Sequence, residues 1–224
     1  MRKYSLSILV FVLVALSAAS SIAGEVSLGV KTGLLMANVT GTPEEWGDTK
    51  SYITTFAGGV VLNYAFNESF SLQPELLYAS KGFTGNLYEG FVTVDVTPSF
   101  DYIELPVLAK YAFSPGGKFR PCVFAGPSFA YCMSSELEIS AGLLGASVDI
   151  SSLTHTTDFG LVLGAGFGYE AGGGLLTFDA RYQLGFTNVI MSGDFTINGS
   201  TRTIDVDDFQ NYGFLFLVGY QLRI

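Results

Sequence analysis

Apolar and polar residues alternate with a period of two along most of this chain. The alternation is clearest over residues 101–131, which reads as two strands joined by a tight turn at Ser114-Pro115-Gly116-Gly117-Lys118. On the first strand Ile103, Leu105, Val107, Ala109, Tyr111 and Phe113 share one face. Tyr102, Glu104, Pro106, Leu108, Lys110 and Ala112 share the other. On the second, Pro121, Val123, Ala125, Pro127, Phe129 and Tyr131 alternate with Arg120, Cys122, Phe124, Gly126, Ser128 and Ala130. One face is apolar, while the other mixes charge, hydroxyls and glycine. A strand with lipid on one side and a polar lumen on the other has this pattern.

Six further runs alternate in the same way, at 25–38, 52–66, 70–83, 158–170, 175–187 and 209–224. Turns centred near 68, 116 and 173 are short, whereas the links at 39–51, 84–100, 133–157 and 188–208 are long. Within the second long link part of the sequence (91–96) still alternates, so strands there are expected to run on above the membrane. Four hairpins of about 50 residues close into one all-β, eight-stranded, antiparallel, up-and-down transmembrane barrel, with short turns in the periplasm and long loops outside.

Composition sharpens this picture. The chain of 224 residues is 49% hydrophobic and only 14% charged, where soluble domains carry about 25% charged residues. The mature part holds no apolar run long enough for a membrane helix. The first 23 residues read as a signal peptide, with basic Arg2 and Lys3, an apolar stretch from Leu6 to Ala19, and Ser21-Ile22-Ala23 at the cleavage site. The barrel domain is then 24–224. Losing Arg2 and Lys3 takes the net charge from −9 to −11, which disfavours nucleic acid as a partner. Cys122 and Cys132 fall on one face of one strand. Ten residues at about 3.3 Å each separate them by roughly 33 Å, so two free thiols are expected.

Four segments carry a family resemblance. DYIELPVLAKY followed by RPCVFAGPSF, together with GVKTGLLMANV, FNESFSLQPELLYASKGF and DARYQLGFTNV, resembles the small outer-membrane β-barrel proteins of the PorT-like family. The resemblance spans nearly the whole mature chain. It implies a single closed barrel of the OmpX/OmpA-like, eight-stranded kind. It also implies a link to a secretion or assembly complex, as for the family's namesake. The chain departs from the usual outer-membrane ending, finishing on Arg223-Ile224 and not on an aromatic residue.

Tyr64, Phe66, Phe70, Tyr111, Phe113, Phe119, Phe167, Tyr169 and Tyr220 all lie near a short turn or the C-terminus, as an aromatic girdle would. The opposite face carries Lys31, Glu75, Lys81, Glu104, Lys110, Arg120, Asp179, Arg181 and Arg223, which are expected to form a paired ionic network inside the barrel. Glycines 29, 59, 164, 166 and 219 on that face leave room for these long side chains. A lipocalin-like carrier would line its lumen with apolar groups instead. Pro74, Pro106, Pro121 and Pro127 interrupt strands, where proline usually marks a bulge.

Candidate chemistry is sparse. The one histidine, His155, shares a loop with Ser151, Ser152 and Asp158, a set that could be drawn as a nucleophilic triad. Crowding on one loop argues against it, and no catalysis is expected. Gly164-Ala165-Gly166-Phe167-Gly168 lacks the strand-to-helix setting of a phosphate loop. One histidine and two distant cysteines build no transition-metal site, and no cofactor is expected. The long links carry twelve carboxylates (Glu44, Glu45, Asp48, Glu89, Asp95, Glu136, Glu138, Asp149, Asp194, Asp205, Asp207, Asp208) against Lys50 and Arg202. Such a rim is solvated and repulsive unless divalent cations bridge it to lipopolysaccharide.

The expectation is an integral outer-membrane protein of a Gram-negative bacterium, monomeric, with both termini periplasmic. Its partners are outer-membrane lipid, lipopolysaccharide and envelope or secretion-complex proteins. Its role is structural or interactive. The alternatives are a narrow pore for small solutes and a soluble, exported, lipocalin-like carrier.

Overall fold

A computed structural model describes residues 24–41, 50–89, 92–114, 116–141, 144–190, 193–197, 200–204 and 209–224. Residues 1–23, expected to be a signal peptide, lie outside the described residues. Among the described residues eleven strands follow one another: β1 (Glu25–Val39), β2 (Ser51–Ala65), β3 (Phe70–Glu89), β4 (Val92–Ala112), β5 (Phe119–Ala141), β6 (Leu144–Asp149), β7 (Thr157–Ala171), β8 (Gly174–Asn188), β9 (Gly193–Ile197), β10 (Ser200–Ile204) and β11 (Gln210–Arg223). Eight of them form an antiparallel ring in the order β1, β2, β3, β4, β5, β7, β8, β11. The ring closes where β11 pairs with β1, with Lys31 opposite Gly219.

Alternation places the two faces as the sequence implies. Val30, Leu34, Phe56, Phe129 and Val218 stand exposed on the outside, while Ala57, Val61, Leu77, Glu104 and Leu108 are fully buried inside. An exterior this apolar suits hydrocarbon and not water. No helix among the described residues is long and apolar enough to cross a membrane.

The short turns carry their own reasons. Asn67 Oδ1 accepts hydrogen bonds from the Ser69 and Phe70 amides at 2.9 and 2.8 Å, closing the β2–β3 turn. Gly172 and Gly173 have φ of 60° and 85°, the left-handed pair that a tight β7–β8 hairpin requires. Around them the rings pair off. Tyr64 meets Phe66, Phe70 meets Tyr111, and Phe119 meets Phe167, with centroids 4.8–5.2 Å apart. A second aromatic level, absent from the sequence reading, joins Tyr52, Tyr182, Tyr212 and Phe214 near the other end.

Two long links turn out to be mostly strand. β3 and β4 stay paired out to Glu89 and Val92, so the expected link 84–100 is a continued two-stranded ribbon. β5 likewise runs on to Ala141 and folds back as β6. Period-two alternation persists there, with Val96 and Phe100 buried and Asp95 exposed. Backbone pairing therefore has no cause to stop at the membrane surface. A four-stranded sheet ordered β3-β4-β5-β6 projects beyond the ring.

The prolines depart from the expected bulge. The β3–β4 ladder is unpaired between Pro74↔Val107 and Leu77↔Glu104, and the β4–β5 ladder between Pro106↔Ser128 and Ala109↔Ala125, yet neither register shifts. Pro106 and Pro127 sit where the ladder is interrupted, so their missing N–H breaks no regular pairing. The true register shifts lie elsewhere, at Asp101/Tyr102 on β4, at Tyr52/Ala57 on β2 and at Gln210/Tyr212 on β11.

Candidate functional site

The barrel interior is layered. At the end bearing the projecting sheet lies an apolar cap of Val39, Phe83, Phe100, Tyr102, Val189 and Phe209, with Phe83 and Phe209 edge to face at 5.5 Å. Val189 comes from the last long link, where the sequence offered no reason to place a core residue, and Phe209 from the first position of the run expected at 209–224.

Beneath the cap sits a first polar set. Lys81 pairs with Glu104 and approaches Asp158 at 3.9 Å. Its ammonium also lies 5.1 Å from the Tyr102 ring centroid. Gln183 donates to Glu104 at 3.0 Å, and Asn211 donates to Asp158 at 3.2 Å.

Further toward the short turns lies the second set. Lys31 bonds Glu75 at 3.0 Å and Asp179 at 2.5 Å. Arg181 grips Glu75 through two nitrogens at 2.6 and 2.8 Å and Asp179 at 2.6 Å. Two cations therefore meet two carboxylates, all four nearly inaccessible to water. The pairing joins β1, β3 and β8 across the lumen, and it needs space at particular glycines. A Cβ on Gly219 would lie 2.5 Å from Lys31 Cγ, and one on Gly166 would lie 2.8 Å from Asp179 Oδ1.

The remaining expected members fall outside these two sets. Lys110 is half-buried and donates only weakly to Gln73, at 3.4 Å. It borders a cup of about 870 Å³ at the short-turn end. Arg120 and Arg223, expected inside, stand at the cup's mouth. Arg120 pairs with Glu170, and Arg223 pairs with Glu25 and lies 3.7 Å from Glu170. The cause is position. Arg120 is the second residue of β5 and Arg223 the last of β11, so their inward direction leads into the open mouth. Conversely Asp158, Gln183 and Asn211 were not assigned to the network. Their inward register was the available signal, but neutral amides and a loop-side aspartate gave no charge pattern to follow.

The histidine loop does not assemble a triad. Ser151 Oγ accepts the Ser135 amide at 3.2 Å, Asp158 faces the lumen, and His155 is exposed with its amide bonded to the Val189 carbonyl. Cys122 and Cys132 are both buried and free on β5.

Of the acidic rim, Asp95, Glu136, Glu138 and Asp149 lie exposed on the projecting sheet. Glu136 stands directly opposite Asp149. Hydrogen bonds from Ser151 hold the Asp149 carboxyl below the usual carboxylate range. Glu44, Glu45, Asp48, Asp205, Asp207 and Asp208 lie outside the described residues, as do the side chains of Glu89, Asp194 and Arg202.

A family model for the outer membrane protein beta-barrel domain matches residues 17–191. Solved structures resemble the chain at low identity. Ail, the attachment invasion locus protein of Yersinia pestis, is 13% identical over 89% of this chain and 99% of its own, with a TM-score of 0.42. The outer membrane protein OprG of Pseudomonas aeruginosa is 11% identical over 91% and 97%, with a TM-score of 0.47. Outer Membrane Protein W of Escherichia coli is 15% identical over 90% and 100%, with a TM-score of 0.37. No curated protein matches the chain.

Proposed function

The chain belongs to the outer membrane protein β-barrel family, and we propose that within that membrane it serves as a closed, non-catalytic barrel whose projecting sheet engages envelope partners. The observation that carries this reading is the sheet itself. It is built from the same strands β3, β4 and β5 that form the wall, continued past one register shift at Asp101/Tyr102, so the wall and the sheet share their backbone ladders. Its exposed carboxylates, Asp95, Glu136, Glu138 and Asp149, favour a cationic partner or divalent cations shared with lipopolysaccharide. The described barrel begins and ends at the short-turn end, where the Ile224 amide bonds the Val26 carbonyl; in the proposed orientation that end is periplasmic, and the barrel acts as a monomer. An accessory place in a secretion or assembly complex, as the PorT-like resemblance implies, is the more specific form of the proposal.

The test compares the intact protein with one in which 84–96 and 135–149 are replaced by tight turns. Retained heat-modifiable mobility with loss of envelope integrity and of in-cell crosslinks is the expected result. An unchanged envelope and unchanged crosslinks would remove the sheet from the function. A steady single-channel conductance in planar bilayers would favour a solute pore over the structural role, because the buried Lys31–Glu75–Arg181–Asp179 set would then not seal the lumen.

A further inference from the structure

The polar set beneath the apolar cap is out of charge balance. Among the described residues one ammonium, Lys81, faces two carboxylates, Glu104 and Asp158. All three are at least nine-tenths buried, at 8%, 0% and 7% exposure. The second set is balanced two against two, and Lys110 borders the aqueous cup, where water screens its charge. The excess negative charge under the cap has no such screening, and an unbalanced buried charge is costly.

The same place is also short of donors. Gln183 and Asn211, 5% and 2% exposed, use their amide nitrogens on Glu104 and Asp158. Gln183 Oε1, Asn211 Oδ1 and Asp158 Oδ1 are then buried acceptors without hydrogen-bond partners. Glu104 Oε1 meets only the Lys81 ammonium. A cavity of about 10 Å³, bordered by Lys81, Glu104, Ser128, Asp158, Gln183 and Gly185, lies among them. That is room for roughly one water-sized body.

Three occupants can be compared. A proton would cancel the charge yet satisfy one oxygen. A water would supply two donors yet leave the charge. A monovalent cation does both, since it neutralises the site and is coordinated by several hard oxygens at once. A divalent ion would overshoot the balance by one.

We propose that this cavity is a structural sodium site, liganded by the carboxylates of Glu104 and Asp158 and the amide oxygen of Gln183. Lys81 is a positioning residue that holds Glu104 toward the cavity.

The experiment is thermal unfolding of the refolded protein in detergent, read by loss of the compact gel band, in NaCl, KCl or choline chloride at equal ionic strength. The midpoint is expected to be higher in sodium than in choline and to rise with sodium concentration, as for any ligand of the folded state. Asp158→Asn, which leaves Lys81 balanced by Glu104 alone, should make the midpoint indifferent to the cation. Gly185→Ala keeps every charge but sets a Cβ 3.0 and 3.1 Å from the Asp158 oxygens, and it should weaken the sodium effect. If Asp158→Asn does not fold, the glycine variant decides alone. Equal midpoints in sodium and choline for the unaltered protein would overturn the site. So would a sodium effect undiminished in the variants, or a midpoint that rises with acidity and ignores the cation, which would assign the balance to a proton.

Discussion

Arg181 offers the sharpest test of whether the buried charges act as a unit. Replacing it with methionine keeps much of the volume and removes three charge-assisted bonds, two to Glu75 and one to Asp179. Lys31 is then left against two carboxylates, a buried excess of one negative charge. Breaking a buried pair in this way costs about 3–5 kcal/mol. Glu75→Gln leaves the opposite excess, with Lys31 and Arg181 against Asp179, at a similar cost. The double variant restores neutrality, because the Lys31–Asp179 contact at 2.5 Å remains. It should sit within about 2 kcal/mol of the parent, where simple addition would give about 6–10 kcal/mol.

Equilibrium unfolding in urea, with the barrel refolded into lipid vesicles and followed by circular dichroism and gel mobility, measures all four members of the cycle. Arg181→Lys belongs in the series as well. It keeps the charge but loses the planar fork that reaches Glu75 and Asp179 together, so it should fall between parent and methionine variant. Double-variant losses equal to the sum of the singles, to within about 0.5 kcal/mol, would refute the coupling. The interior would then be a collection of separate pairs and not a network.

Other expectations are simpler to read. Val60 and Val148 are almost equally exposed, at 48% and 50%, but one faces hydrocarbon and the other water. Val60→Arg should cost about 2–4 kcal/mol and Val148→Arg less than about 0.5 kcal/mol; equal losses in vesicles would mean the membrane boundary is misplaced. Gly219→Ala should cost about 1–3 kcal/mol by overpacking, since the new methyl meets Lys31 Cγ; a neutral result would show that the lysine stem relocates freely. Cys122 and Cys132 should resist hydrophilic maleimide in the folded barrel and react on unfolding. A non-reducing mass lacking two hydrogens would instead show a disulfide and break the register of β5.

How much of this was legible in the sequence depends on what kind of information each feature needs. The wall was legible because alternation is local. Leu105 against Glu104, or Phe129 against Ser128, states which face is which without knowledge of any other strand. The extended ribbons were half legible for the same reason. Pairing of Gly85 with Val96 continues the alternation already visible at 91–96, but length and glycine content made the stretch look like a link. The prolines were misjudged because a ladder can skip a rung without changing register, and only the facing strand reveals the skip.

The interior was legible as a list of residues and not as a set of layers. Direction is a property of one residue, whereas partnership is a property of two strands and their relative height. Lys31 finds Asp179, 148 positions away, and Arg181 finds Glu75, 106 positions away. Neither separation follows from spacing, because each depends on the stagger that closes the ring. Height also divides residues that look alike in the sequence. Arg223 and Arg181 both point inward, yet one ends its strand at the mouth and the other sits mid-barrel, so only the latter gives up water for carboxylates. The same reasoning explains why Asp158 was passed over. As a loop-side aspartate it reads as solvated, but one residue inside β7 its carboxylate drops beneath the apolar cap. There a single position along the strand separates an ordinary surface acid from one whose charge must be balanced by something besides Lys81.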